Sequence, residues 1–119
     1  MDRGTGKAGE SHIAKYLEQK GYRILKRNYH CRFGEIDIIA ENDAYLLFVE
    51  VKTREEGSLV NPFEAVTPAK QQRIVLTAGQ FLVEHPTQKQ PRFDVAAVTT
   101  RKGKIVGEEY LESAFYGKG

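Results

Sequence analysis

The sequence predicts a mixed α/β fold with helices packed on a sheet. Three observations carry that expectation. Two segments keep a helical spacing of apolar residues, and five others are rich in β-branched and aromatic residues. They alternate in the order α-β-β-β-α-β-β. The 119 residues suit one domain spanning 1–119, with no repeat, low-complexity tract or linker.

The first helix is expected from about Ala8 to Lys20, where Ile13, Tyr16 and Leu17 share a face and Gly21 suits the end. The glycine-rich start, MDRGTGK, is expected to be loose. YRILKRNYH reads as a strand that mixes β-formers with basic residues. Two better-patterned strands follow, about Glu35 to Ala40 and Tyr45 to Thr53, joined by a turn at Asn42-Asp43. REEGSLVNP is a polar loop. Thr67 is a good N-cap and Pro68 a good first helical residue, so a second helix should start there. Its apolar stripe is Ile74, Ala78, Phe81 and Leu82, and it should end near His85-Pro86. RFDVAAVTT and KIVGEEYL are the last two strands, turning at Arg101 to Gly103.

Composition narrows the class. Hydrophobic content of 40% with 29% charged residues is ordinary for a soluble globular protein. The one cysteine, Cys31, cannot form an internal disulfide, which points to a reducing, cytoplasmic setting. No apolar run reaches the ~18 residues of a membrane span, so no membrane partner is expected. The net charge of +2 says little, but its distribution says more. Lys15, Lys20, Arg23, Lys26, Arg27 and Arg32 crowd one segment against Glu18 alone. Eight acids between Glu35 and Glu64 face only Lys52 and Arg54. A basic segment beside an acidic one suits a protein that grips a polyanion around a cation site, although solvated faces would look the same.

The acids of the central hairpin are the sharpest signal. Side chains alternate along a strand, so Glu35, Asp37 and Ile39 share a face, as do Leu46, Phe48, Glu50 and Lys52. A turn symmetric about Asn42-Asp43 sets residue 37 opposite 48 and residue 35 opposite 50. All four charged residues then share a surface with Ile39, Leu46 and Phe48, which a helix should cover. Like charges across strands destabilise a sheet, more so when desolvated. Three carboxylates in that setting call for a cation, and Mg²⁺ or Mn²⁺ suits their oxygens. A metal on Asp37 and Glu50, with Lys52 beside it, is the minimal kit for phosphodiester hydrolysis.

Asp37 followed by Glu50-Val51-Lys52 resembles the motif of the PD-(D/E)xK nuclease superfamily. More closely, GKAGE, YLEQKGY, GEIDIIA, FVEVKTR, RFDV and the terminal AF resemble the bacterial YraN family of uncharacterised proteins, similar to archaeal Holliday-junction resolvases. The resemblance spans nearly the whole chain. It implies a restriction-endonuclease-like core and a metal-dependent endonuclease acting on DNA, with branched, junction or single-stranded forms among the candidates. It also implies metal ligation by Asp37, Glu50, the Val51 carbonyl and Glu10, with Lys52 as the catalytic lysine. Ile36 stands where the superfamily motif has proline, which leaves the ligands intact.

Other residues carry two readings each. Glu10 is otherwise an ordinary first-turn helix acid. Glu35 is a support or second-metal ligand, and Lys70 either faces phosphate or is solvated. Arg54, Arg27 and Arg32 are candidate nucleic-acid contacts, with Arg54 equally suited to pairing with Glu55 or Glu56. Asp94 could pair with Arg92 or with Lys52, and suits a structural role. GTGKAGE lacks phosphate-loop spacing, and the histidines with Cys31 lack zinc-ligand spacing. Two alternatives to the nuclease stay open: a non-cleaving nucleic-acid-binding module of the same fold, and a protein-interaction factor. A homodimer is expected from the resolvase resemblance and from Tyr110, Leu111, Phe115 and Tyr116 near the terminus.

Overall fold

A computed structural model describes residues 3–116. Helix α1 (Arg3–Gln19) is followed by strands β1 (Arg23–Cys31), β2 (Gly34–Glu41) and β3 (Tyr45–Glu55). Helix α2 (Pro68–Glu84) leads to β4 (Gln90–Arg101) and β5 (Lys104–Phe115). The strands lie side by side in chain order in one sheet. Every neighbouring pair is antiparallel except β3 and β4, which run parallel. Parallel neighbours need a crossover rather than a tight turn, and α2 is that crossover. The mixed α/β architecture and the element order are those expected.

One helix covers each face. Ile74, Ala78 and Phe81 of α2 pack with Ile39, Leu46, Phe48 and Phe93, while Ile13, Ala14 and Leu17 of α1 pack with Ile38, Leu47, Val49 and Val98. A strand covered on both faces has no polar side to show. Leu46 through Val49 are all buried, and the charged end of β3 lies beyond them. Neither helix is long and apolar enough to cross a membrane.

Local chemistry set the second helix where expected. The Thr67 hydroxyl accepts the Lys70 N–H, Pro68 opens the first turn, and His85 closes the last. The first helix differs, because it begins at Arg3 inside the glycine-rich stretch expected to be loose. Packing overrides propensity there. Gly9 is buried against β3, and a Cβ on it would stand 2.4 Å from Thr53 Oγ1.

The hairpin register also differs. Ile39 pairs with Phe48 and Ile38 with Val49, so the axis lies one residue beyond Asn42-Asp43. The cause is the Asn42 side chain, whose Oδ1 accepts the N–H groups of both Ala44 and Tyr45 and draws them into the turn. Moving the axis by one residue moves the register by two, which preserves the faces. It also brings Asp37 to the level of Glu50 rather than Phe48.

Candidate active site

The site begins where a sheet ladder stops. The β2–β3 pairing ends at Ile38–Val49, and the next amide of β3 in need of a β2-side partner is that of Val51. Asp37 Oδ2 accepts that N–H at 2.8 Å. Alternation fails at the same point. Ile36 and Ile39, three residues apart, both enter the α2-side core. On β1, Asn28 lies between the partners of Ile36 and Ile38 and has a left-handed backbone, φ 55°. This matched irregularity frees Asp37 from the strand pattern.

An open cleft of ≈ 470 Å³ lies here, lined by Glu10 and Gly6 from α1, Asp37 from β2, and Glu50, Val51 and Lys52 from β3. Glu50 and Glu10 side chains are only 16% and 15% exposed, so water screens them poorly. Burial pushes the Asp37 carboxyl up to about 8, with Glu50, then Glu10 and Glu35, adding repulsion, and the Val51 N–H only partly offsetting it. Lys52 Nζ lies 3.2 Å from Glu50 Oε2. Burial works against its charge, but Glu50 and Asp37 together raise its pKa above the ordinary lysine value. On the α2 side, the Lys52 ammonium lowers the pKa of Lys70.

The structure brings Glu10, Asp37, Glu50, Val51 and Lys52 to one cleft. The other candidates fall elsewhere or are engaged. Glu35 is exposed on the β1-paired part of β2, near enough to Asp37 to repel it. Arg54 borders the cleft, but Nη1 donates to the Val60 carbonyl at 2.9 Å and Nη2 lies 4.0 Å from Glu109. Arg27 Nη2 sits 3.8 Å from Glu10 Oε1. Arg32 stacks over Phe33. Gly6, Thr53 and Gly103 also line the cleft and were not singled out from the sequence. Three glycines in the first half of α1 were the only signal available.

Among the described residues, no three His, Cys, Asp or Glu side chains converge as a ready ligand set. The acids are coupled neighbours rather than a closed cage. Their donors are all carboxylate oxygens, and Glu10 Oε1 is buried without a hydrogen-bond partner. An orphaned oxygen beside two further carboxylates fits a hard divalent ion, which takes few protein ligands and keeps several waters.

Asp94 serves as an internal contrast. It is fully buried and accepts two N–H groups of Arg92, the Tyr110 hydroxyl at 2.6 Å and the Ser113 N–H at 2.9 Å. This is the structural pairing expected of it.

These features define a class: a mixed α/β protein with one helix on each face of a five-stranded sheet and an acid–lysine cleft where two central strands part. The chain belongs to the family described as Uncharacterised protein family UPF0102, whose profile matches residues 9–98, in keeping with the YraN resemblance. A UPF0102 protein of Prosthecochloris aestuarii is 44% identical over 119 residues, covering 95% of this chain and 94% of its own. One of Symbiobacterium thermophilum is 46% identical over 117 residues, covering 98% and 99%. One of Alkaliphilus metalliredigens is 42% identical, covering 97% and 100%.

Proposed function

We propose that this protein is a Mg²⁺- or Mn²⁺-dependent nuclease of the PD-(D/E)xK kind that hydrolyses DNA phosphodiester bonds, with branched or junction forms as preferred substrates. The observation that carries the reading is the Asp37 carboxyl, which among the described residues has no ion-paired cation to balance its charge once it ionises. Asp94 has a bidentate arginine and two further donors, whereas Asp37 has one backbone N–H and three acidic neighbours. A buried carboxylate without a counter-charge is costly, and a binding cation offsets that cost. The motif resemblance supports the same reading.

Asp37, Glu50 and the Val51 carbonyl would hold the ion, with Glu10 Oε1 completing the oxygen set. When bound, the ion supplies Lewis acidity toward a phosphoryl oxygen. Lys52, now 3.2 Å from Glu50, would donate from Nζ to a phosphate oxygen or orient the attacking water once Glu50 no longer engages it. Glu10 reaches the cleft from α1.

The test is cleavage of labelled linear, single-stranded and four-way-junction DNA with and without Mn²⁺. Metal-dependent cutting that Lys52→Ala abolishes is expected. No cutting of any form at neutral to alkaline pH would sink the nuclease reading. One observation favours the non-cleaving alternative: Lys52 and Glu50 already neutralise each other at 3.2 Å. In that case the same DNA would bind but remain whole.

A further inference from the structure

The connection from β3 to α2 keeps apolar side chains in water beside the cleft. Leu59 is fully exposed and Val60 largely so. Single exposed leucines are common on protein surfaces, but this one lines a hollow of ≈ 290 Å³ with Arg54, Asn61, Pro62, Phe63 and Glu109. Side chains hold the loop around it. Arg54 Nη1 donates to the Val60 carbonyl at 2.9 Å, and the Ser58 hydroxyl accepts the Val60 N–H at 3.2 Å. Asn61 Oδ1 accepts the Phe63 N–H at 2.9 Å, and Phe63 packs against the α2-side core. Arg54 also lines the carboxylate cleft, so hollow and cleft share a wall.

The lining combines apolar surface with one cation and one carboxylate. Leu59, Pro62 and Phe63 supply the first, Arg54 supplies N–H donors, and Glu109, 4.0 Å from it, supplies acceptor oxygens. A nucleobase has the matching chemistry: two ring faces that stack on apolar surface, and an edge carrying both acceptors and donors. The volume stands at the foot of the range for small-molecule sites, which suits one ring system rather than a segment of protein. We propose that this hollow takes one unpaired base from the strand whose phosphate lies at the cleft. In a duplex the base is stacked and its edge already paired, so single-stranded, frayed or branched DNA supplies it at least cost. Selection of such DNA then comes from the β3–α2 loop and not from the carboxylates. The identity of the strand rests on the nuclease reading above.

The hollow can be tested apart from cleavage. The chain contains no tryptophan, so Leu59→Trp places a single reporter at its rim. In chelator, a short oligothymidylate should quench that fluorescence saturably as a base stacks on the indole. An abasic oligonucleotide of the same length and charge should not quench it, and a blunt duplex should do so far less. Leu59→Ser should weaken oligothymidylate binding roughly tenfold, the scale of one lost stacking contact. Its affinity for the abasic chain should stay that of the wild type, as should its thermal unfolding. No quenching, equal quenching by the abasic chain or the duplex, or unchanged oligothymidylate affinity in Leu59→Ser would overturn the base pocket. Base-dependent quenching in a protein that cuts no DNA would keep the pocket and remove the nuclease reading. Metal-dependent cutting of single strands by Leu59→Ser with the wild-type KM would do the reverse.

Discussion

Asp37 and Asp94 do the same backbone task in opposite surroundings. Each carboxylate accepts an N–H that the sheet leaves over: that of Val51 where β2 and β3 part, and that of Ser113 where the β4–β5 register shifts. Arg92 balances Asp94, while Asp37 has three acidic neighbours and no ion pair among the described residues. Packing alone explains the first arrangement. The second is the arrangement on which the proposed cation site rests.

Stability in metal-free buffer should therefore fall as pH rises. Asp37 in the unfolded chain is an ordinary acid of pKa about 4, and in the folded protein it is pushed up to about 8. Between those values the folded state holds a proton that the unfolded state has released. The stability is fully present below the lower value and is lost as pH passes through the upper. Urea midpoints in chelator should decline from pH 5 to 9 for the wild type and stay flatter for Asp37→Asn, which can still accept the Val51 N–H. Parallel curves for the two would refute the assignment.

Divalent ions should reverse that decline. At pH 8, Mn²⁺ is expected to raise the wild-type unfolding midpoint, because an ion bound only to the folded state stabilises it by mass action. Asp37→Ala and Glu50→Ala should fold and lose the response, and Glu10→Gln should weaken it. Calorimetry gives the affinities directly. Wild-type binding in both alanine variants would place the ion elsewhere.

Gly9 sets the distance between α1 and β3. It presents only a Cα hydrogen toward Thr53, so Gly9→Ala should cost about 1–3 kcal/mol through overpacking. The helix would move away and carry Glu10 with it, weakening Mn²⁺ binding. Thr53→Ala in the same chain should restore both, a coupling that a double-mutant cycle measures. Additive effects would show that the contact does not govern the cleft.

Asp94→Ala should be among the more damaging substitutions. It strands Arg92, which is 9% exposed, and takes a partner from Tyr110 and Ser113. Breaking a buried pair in this way costs about 3–5 kcal/mol. Chemical denaturation reads the loss directly, and a change under 1 kcal/mol, within the range of ordinary surface substitutions, would contradict it.

The aromatic residues near the terminus serve the fold before any assembly. Phe115 is buried and stacked on Phe93, and Tyr110 stacks on Tyr16, whereas Tyr116 is 78% exposed. Phe115→Asp should destabilise by more than about 3 kcal/mol, whatever the oligomeric state. Tyr116→Asp should leave the fold unchanged. Light scattering on the second variant tests the expected homodimer without confounding it with unfolding.

Much of this was legible locally. Thr67-Pro68 announced α2 because capping involves neighbours in sequence, and Asp94 with Arg92 could be paired because residues two apart share a strand face. The hairpin brings Asp37, Glu50 and Lys52 to one cleft despite the incorrect register, but Asp37 reaches it through an irregularity in β2 rather than by strand alternation. What stayed hidden depended on contacts between distant segments. The Asn42 side chain reset the turn, and the matched irregularity at Asn28 and Asp37 needs both strands to be seen. Glu10 reaches the cleft only because Gly9 lets α1 approach. Tyr110 and Ser113, far from Asp94 in sequence, complete its shell.

Chain order and sheet order coincide, and that bears on how the molecule assembles. The antiparallel neighbours can zip from short turns, so their loop-closure cost is small. The costly step is the parallel joining of β3 to β4, which must enclose α2 and the loop before it. Glu10, Asp37, Glu50 and Lys52 all precede that seam in the chain. Mutations in the β4–β5 hairpin are thus expected to alter how long the molecule stays folded more than how its cleft is first put together, which separates its kinetic lifetime from its chemistry.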